Sequence, residues 1–411
     1  MKSLAIVGLQ FGDEGKGKLT DTFAANFDLV IRYQGGNNAG HTVYAHGKKY
    51  VLHLLPSGII HAHTINVMGN GMVIDLDALE KELEPFHIHQ LRISDRAHII
   101  TPLHRYLDAQ AEGNASQKIG TTLKGIGPAY QLKAGRIGLR MSSLMNVDRF
   151  KFELKQLYDF YGFNEDVEAY VQRLTPFIQR LRPAIVDVGS LLEAAKEKGQ
   201  SMLFEGAQGM MLDLDHGTYP FVTSSHPSPT SAAIDLGIPQ GWISRTLGVV
   251  KAYTTRVGEG PFPTEYDNEV SQSIRERAHE YGATTGRPRR IGHLDLVMLK
   301  QALRVAGVTE LAVTLFDILS GVEPLKICTH YRFQEKEIMT VPAHADDLKQ
   351  VTPVYQTFSS WQEDLSTIRT YEALPKAAKA YLRFIETTLK RPIRFISVGP
   401  QREQLIEVSH D

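Results

Sequence analysis

The chain has 411 residues, 42% hydrophobic and 22% charged, which excludes wholesale disorder and a fibre. Its 45 Lys and Arg balance 46 Asp and Glu, so no net basic surface is available for gripping nucleic acid. The single cysteine, Cys328, rules out an intramolecular disulfide and any multi-cysteine metal site.

Leu4–Val7 is a short apolar strand that breaks into a Gly-rich segment, and Leu19–Ala25 then reads as a helix. Leu29–Tyr33, rich in β-branched and aromatic residues, is a second strand. Further strands are expected at Val51–Leu55 and Thr64–Met68, and Leu76–Phe86 has helical spacing. Residues 148–198 are strongly helical, with Val167, Val171, Leu174, Ile178 and Leu181 at alternating four- and three-residue steps. Strands and helices then alternate through Ser201–Phe204, Thr246–Tyr253, Leu294–Ala306, Leu311–Thr314 and Ile393–Val398. That alternation predicts an α/β fold with a large, mainly parallel central sheet flanked by helices. No repeat or Pro/Gly/Ser linker divides the chain, so residues 1–411 are expected to form a single domain. Nor does any run approach the ~20 apolar residues of a membrane span, and a soluble, cytoplasmic protein is expected.

The first strand leads into Gly12-Asp13-Glu14-Gly15-Lys16-Gly17-Lys18, which fits the G-x-x-x-x-G-K spacing of a phosphate loop. Glycines let such a backbone turn tightly and present N–H groups to phosphate, and the helix N-terminus adds partial positive charge. The Ser or Thr that would hold a metal is replaced by Leu19. An acidic pair, Asp13-Glu14, stands where an anion should dock, and phosphate repels a carboxylate there unless it binds metal or takes a proton. The competing reading is a Gly-rich turn with solvated lysines.

A second Gly- and amide-rich run, Gln34-Gly35-Gly36-Asn37-Asn38-Ala39-Gly40-His41-Thr42, follows the next strand. His41 can donate a proton or support a developing oxyanion. Two such loops after successive strands point to a ligand site, because α/β proteins bind ligands at the carboxyl ends of parallel strands.

The two runs together resemble the adenylosuccinate synthetases. Further segments match in the same order: Val51–Gly58, Gly120–Tyr130, Phe204–Gly209, Leu212–Ser225, Thr255–Glu265, Gly282–Arg290 and Ile396–Gly399. The resemblance covers essentially the whole chain. It implies the fold of that family and a carbon–nitrogen ligase that joins L-aspartate to IMP, hydrolysing GTP through a 6-phosphoryl-IMP intermediate in AMP biosynthesis. It also implies Mg²⁺ near Asp13 and the carbonyl of Gly40, and a homodimer.

Residue by residue, the resemblance makes Asp13 the base for the N1 proton of IMP, with His41 and Gln208 completing the catalytic set. Gly12, Glu14, Gly15, Lys16, Gly17, Lys18, Gly40, Thr42, Arg289, Leu315, Asp317, Ser397 and Gly399 match the GTP side. Lys16, Asn38, Thr122, Arg136, Thr223 and Arg287, with Asp13, His41 and Gln208, match IMP contacts. Arg136 would reach the nucleotide of the neighbouring subunit. Thr284, Thr285, Gly286 and Arg287 match the loop that closes over aspartate, where a guanidinium fork suits its carboxylates.

Some positions depart from the family. Thr314-Leu315-Phe316-Asp317 lacks the usual lysine, Leu123 replaces a glycine, Phe11 replaces a tryptophan, and Pro288 separates Arg287 from Arg289. These keep a second reading open: the same chemistry with ATP as donor or dGMP as acceptor. A nucleotide sensor is the non-enzymatic alternative, but it would need neither a base nor an aspartate clamp.

Overall fold

The computed structural model describes residues 2–45, 48–116, 118–282 and 286–409. The fold is α/β, with a large, mainly parallel sheet flanked by helices. The chain clusters into two compact units, each assembled from three segments. One contains residues 1–3, 23–205 and 231–242, and the other contains residues 4–22, 206–230 and 243–411.

In the second of these units, strand Ser3–Gly8 pairs in parallel with Thr246–Lys251, which pairs with Glu310–Thr314, then Ile393–Ser397. Leu405–Glu407 closes that edge antiparallel. All of Ser3–Gly8 is buried, as a strand covered on both faces requires. Helices Leu296–Ala306 and Lys376–Leu389 pack their apolar residues with Val7, Val250, Val313 and Ile396. Each buried Leu or Ile of this kind contributes about 2 kcal/mol. A smaller sheet, built on Leu325–Phe333 with antiparallel neighbours Lys336–Ile338 and Thr352–Phe358, belongs to the same unit.

In the other unit, Leu29–Gly35 lies between Met202–Gly209 and Ile65–Asp75, with Leu91–Ser94 and Ile185–Val186 beyond, all parallel. The expected strand Thr64–Met68 runs on to Asp75 through two glycines. A Cβ at Gly69 would lie 2.5 Å from Leu236, and one at Gly71 2.5 Å from the carbonyl of Tyr33, so only glycine carries the strand past these neighbours. Conversely, the strand expected over Val51–Leu55 ends at Leu52. The Glu82 carboxylate accepts the N–H groups of His53, Leu54 and Leu55 and bends them out of the ladder.

The helical stretch 148–198 resolves into helices Val147–Tyr161, Val167–Leu181 and Val188–Glu197. The first phosphate-loop helix starts at Lys16, three residues earlier than its apolar pattern suggests. Helix Ile126–Ala134 is disguised in the sequence by Gly127 and Pro128, which sit in its first turn, where a missing N–H costs nothing.

Candidate functional site

After strand Ser3–Gly8 the chain turns around the carboxylate of Glu14, which is fully buried. Oε1 accepts the N–H of Gln10 at 3.0 Å and of Gly12 at 2.9 Å, while Oε2 pairs with Lys16 Nζ at 2.6 Å. Glycine is required around it. A Cβ at Gly8 would lie 2.1 Å from Glu14 Oε2, and one at Gly209 2.3 Å from the Gln10 carbonyl. Gly12 and Gly15 take φ of +89° and +84°, and Asp13 joins them at +57°. The acidic pair therefore divides its work: Glu14 turns inward and builds the loop, whereas the Asp13 side chain is 33% exposed.

Asp13 Oδ2 accepts Arg289 Nη2 at 2.7 Å. The same guanidinium binds Glu280 through Nη1, and Glu280 also takes Lys251 Nζ at 2.7 Å and Tyr253 OH at 2.6 Å. Two cations and two carboxylates are thus chained together, three of the four buried. Burial would raise Glu280, but Lys251 and Arg289 outweigh it and hold the carboxyl below its ordinary value. Gln208 stands next to the phosphate loop at φ +57°, with a Cβ on Gly12 only 3.8 Å from its Cα. Thr223, half-buried, is held by its N–H to the Leu212 carbonyl at 2.8 Å.

Lys18 leaves the loop altogether. Its Nζ donates to Ser397 Oγ at 2.7 Å, Gly399 O at 2.6 Å and Gln404 O at 3.1 Å. Burial lowers its pKa to about 8. Thr314 Oγ1 meanwhile donates to the Glu14 carbonyl at 2.6 Å, and Phe316 N–H to the Ser397 carbonyl at 3.2 Å. Lys18, Ser397, Gly399 and the 314–317 segment therefore form one neighbourhood beside the phosphate loop. There Asp317 Oδ1 is buried with no hydrogen-bond partner among the described residues, and burial raises its carboxyl. Leu315, at φ +50°, packs on the apolar cluster that includes Phe316, Trp361 and Tyr381.

Arg256 braces the same unit. It donates to Thr218 Oγ1, Pro261 O and Phe221 O at 2.9–3.1 Å and lies 4.4 Å over the ring of Phe11. Phe11 thus supplies an aromatic face for this buried cation.

In the other unit, side-chain donors hold the second Gly-rich loop by its carbonyls. Arg32 Nη2 donates to Gly36 O at 2.7 Å, Lys124 Nζ to Asn37 O at 3.0 Å and His53 Nδ1 to Ala39 O at 2.6 Å. Asn38 and Gly40 are half-buried between these anchors, and Thr42 continues into strand His41–Ala45. His41 Nδ1 donates to Glu205 Oε1 at 2.5 Å, and Glu205 also accepts Ser57 Oγ at 2.6 Å and Ser57 N–H at 2.8 Å. Burial alone would raise the fully buried Glu205, yet His41 and Ser57 bring it below its ordinary value. This orients the imidazole and directs its other nitrogen away from Glu205. Thr122 is half-buried in the same unit, and its neighbour Leu123 is exposed at φ +56°.

Arg136 is exposed at φ +63°, and Gly286 and Arg287 are exposed. Thr284 and Thr285 lie outside the described residues. Glu205, Ser57 and Glu280 were not singled out from the sequence. Glu205 and Ser57 lie inside the quoted segments Phe204–Gly209 and Val51–Gly58, and Glu280 two residues before Gly282; only their partners in space reveal their roles.

The adenylosuccinate synthetase family model matches residues 5–406. The chain is 47% identical to the adenylosuccinate synthetase of Caldanaerobacter subterraneus subsp. tengcongensis, over 99% of both chains. It is 46% identical to that of Clostridioides difficile, over 99% of this chain and 98% of the relative. Among solved structures, the fully ligated adenylosuccinate synthetase of Plasmodium falciparum superposes with a TM-score of 0.96 at 40% identity, covering 99% of each chain. A succinoaminodeoxyadenylate synthetase of cyanophage S-2L, bound to dGMP and dATP, reaches a TM-score of 0.65 at 21% identity over 99% of this chain and 95% of its own, a likeness of fold alone. With its loops, its buried carboxylate–histidine pair and this breadth of agreement, the chain belongs to the adenylosuccinate synthetase family.

Proposed function

We propose that Asp13 and His41 carry the chemistry of the family's reaction in this chain, the GTP-driven joining of L-aspartate to IMP. Asp13 takes the N1 proton of IMP, so that the 6-oxygen attacks the γ-phosphate of GTP. The amino group of aspartate then displaces phosphate at C6. The observation that carries the assignment is the division of the acidic pair: Glu14 is committed to the loop, while Asp13 stays accessible and clamped by Arg289. His41, aligned by Glu205, stabilises charge on the transferred phosphoryl group or the leaving oxygen. Gln208 is read as an IMP contact, with Asn38, Thr122 and Thr223.

Asp317 supports GTP as donor. Its buried Oδ1, without a hydrogen-bond partner among the described residues, suits the N1 and N2 hydrogens of guanine, a donor pair that adenine lacks. Replacement of the usual lysine by Leu315 leaves that carboxylate in place. The 45–47% identity to curated synthetases, against 21% to the dGMP-bound enzyme, favours IMP as acceptor.

The carboxylate of Asp13 and the carbonyl of Gly40 are hard oxygen donors of the type Mg²⁺ prefers, and substrate phosphates would complete its shell. The metal would offset phosphate charge during transfer. Arg287, exposed beside Gly286, and the neighbouring Thr284 and Thr285 are assigned to aspartate. Exposed Arg136, followed by Ile137 at 42% exposure, is suited to reach a second copy, which supports a homodimer. Since each unit uses three chain segments, neither can be cut out whole, and residues 1–411 are best treated as one domain. No helix among the described residues is long and apolar enough to cross a membrane, in keeping with an enzyme working on soluble nucleotides in the cytoplasm.

The test is phosphate release by the purified protein with IMP, aspartate, Mg²⁺ and either GTP or ATP, each component omitted in turn. Release that needs GTP, IMP and aspartate together supports the assignment. Equal release with ATP, or release only when dGMP replaces IMP, would overturn the specificity.

A further inference from the structure

A lysine at the last position of a phosphate-loop pattern is expected to reach phosphate. In this chain the Lys18 ammonium has three N–H donors, and three oxygens of residues 397–404 take them: Ser397 Oγ at 2.7 Å, Gly399 O at 2.6 Å and Gln404 O at 3.1 Å. That loop is itself tightly wired. Ser397 Oγ also lies 3.1 Å from Gly399 O, Gln404 Oε1 accepts Gln401 N–H at 3.0 Å, and Gln404 Nε2 donates to Ser366 O at 3.1 Å. Gly399, at φ +157°, packs so closely on Gln404 that a Cβ would lie 2.3 Å from its side-chain oxygen. The Ser397 carbonyl accepts the N–H of Phe316, the residue before Asp317. Pulling Lys18 out would therefore loosen the support beneath Asp317 while Lys16 remains paired with Glu14 in the turn of the phosphate loop.

We infer that Lys18 is a positioning residue for donor-base selection, tying the phosphate-loop helix to the 397–404 loop, and not a ligand of the triphosphate. The inference rests on the proposed placing of the guanine base at Asp317. Its consequence is that phosphate binding and base reading are mechanically joined through one side chain.

The experiment compares wild type, Lys18→Met and Lys18→Arg in steady-state kinetics with GTP, ITP (which lacks the 2-amino group) and ATP. Inhibition by inorganic tripolyphosphate is measured alongside, with a melting curve for each variant. For Lys18→Met the KM for GTP should rise about tenfold, the loss of one charge-assisted contact, while the KM for ITP rises much less. Selectivity for GTP should fall accordingly, with kcat and tripolyphosphate inhibition within about threefold of wild type. Lys18→Arg keeps the charge, but a planar guanidinium cannot aim three bonds at those converging oxygens, so selectivity should remain impaired. If Lys18→Met does not fold, Lys18→Gln, which keeps a polar head with fewer donors and no charge, should lower the GTP to ITP preference in the same direction. Equal KM rises for all three nucleotides with weakened tripolyphosphate inhibition would make Lys18 a phosphate ligand and overturn the inference. Full rescue of selectivity by Lys18→Arg would overturn it as well. Wild-type protein that takes GTP and ITP equally would remove the base placement beneath it, a failure visible before any substitution is made.

Discussion

The two Gly-rich loops look alike as sequence and are held by opposite charges. The loop at residues 10–16 is organised around an anion, with Glu14 collecting backbone N–H groups. The loop at residues 36–41 is organised by the cations Arg32 and Lys124, with a ring N–H of His53 beside them, all collecting carbonyls. The sign of the anchor follows from the backbone group that has to be kept from an unpaired, buried state. It also decides what each loop offers: the first retains one accessible carboxylate, Asp13, paired with Arg289, and the second one aligned imidazole, His41.

The sharpest break of this comparison is to delete each loop's chemical group and leave its anchors. Asp13→Asn should reduce turnover by about a thousandfold or more, with a melting temperature within a few degrees of wild type. His41→Asn should lose most activity, and Glu205→Gln should lose on the order of a hundredfold because the imidazole is no longer aligned. Normal turnover by the Asp13 variant would end its assignment as base. Deleting the anchors should do the reverse. Glu14→Ala leaves buried Lys16 and two N–H groups unpaired and should cost roughly 3–5 kcal/mol in denaturant unfolding. Arg32→Met should cost a comparable amount; a variant of either anchor as stable as wild type would show that the loops are held elsewhere.

Away from the loops, Asp295 offers a pH-dependent contrast. It is fully buried, caps helix Leu296–Ala306 and accepts Tyr331 OH at 2.5 Å. Burial pushes its pKa up from 3.8 to about 6. A raised carboxyl binds its proton more tightly when folded, so its ionised form costs roughly 3 kcal/mol at pH 7, relieved as pH falls from about 6 towards 4. Asp295→Asn keeps the cap and should flatten the dependence of unfolding free energy on pH over that window; an unchanged slope would refute the assignment. The smallest expected effect is at Leu123, whose φ of +56° suits glycine. Leu123→Gly should stabilise by about 0.5 kcal/mol in denaturant melts, and a loss of stability would show that its exposed side chain makes contacts worth more than the strain.

The two loops of the candidate site were legible in local spacing, whereas its other candidate residues came from the resemblance alone. The run Gly12–Lys18 states its turn in its own glycines, and His41 sits in a segment too rich in Gly and amides to be ordinary. The anchors were not legible, since Glu205 meets His41 across 164 positions and Arg289 meets Asp13 across 276. Nor could adjacent Asp13 and Glu14 be told apart by chemistry; their different directions follow from the missing Cβ atoms at Gly8 and Gly209. In the fold, strands with apolar runs were plain. Helix Ile126–Ala134 was hidden by its glycine and proline, and the sheet built on Leu325–Phe333 mixes buried and half-buried residues without clean alternation.

The strand that opens the chain finds its partner very late. Ala5 pairs with Thr246, and Thr246–Lys251 in turn waits for Glu310–Thr314. During synthesis the apolar Leu4–Val7 therefore emerges some 240 residues before the segment that completes its ladder on that side. Pairings of such long range close slowly and leave an unpaired strand edge open in the meantime. The phosphate loop is made long before Thr246–Lys251 and Thr314, which brace it, so a chain halted midway through translation would hold the motif but not the site.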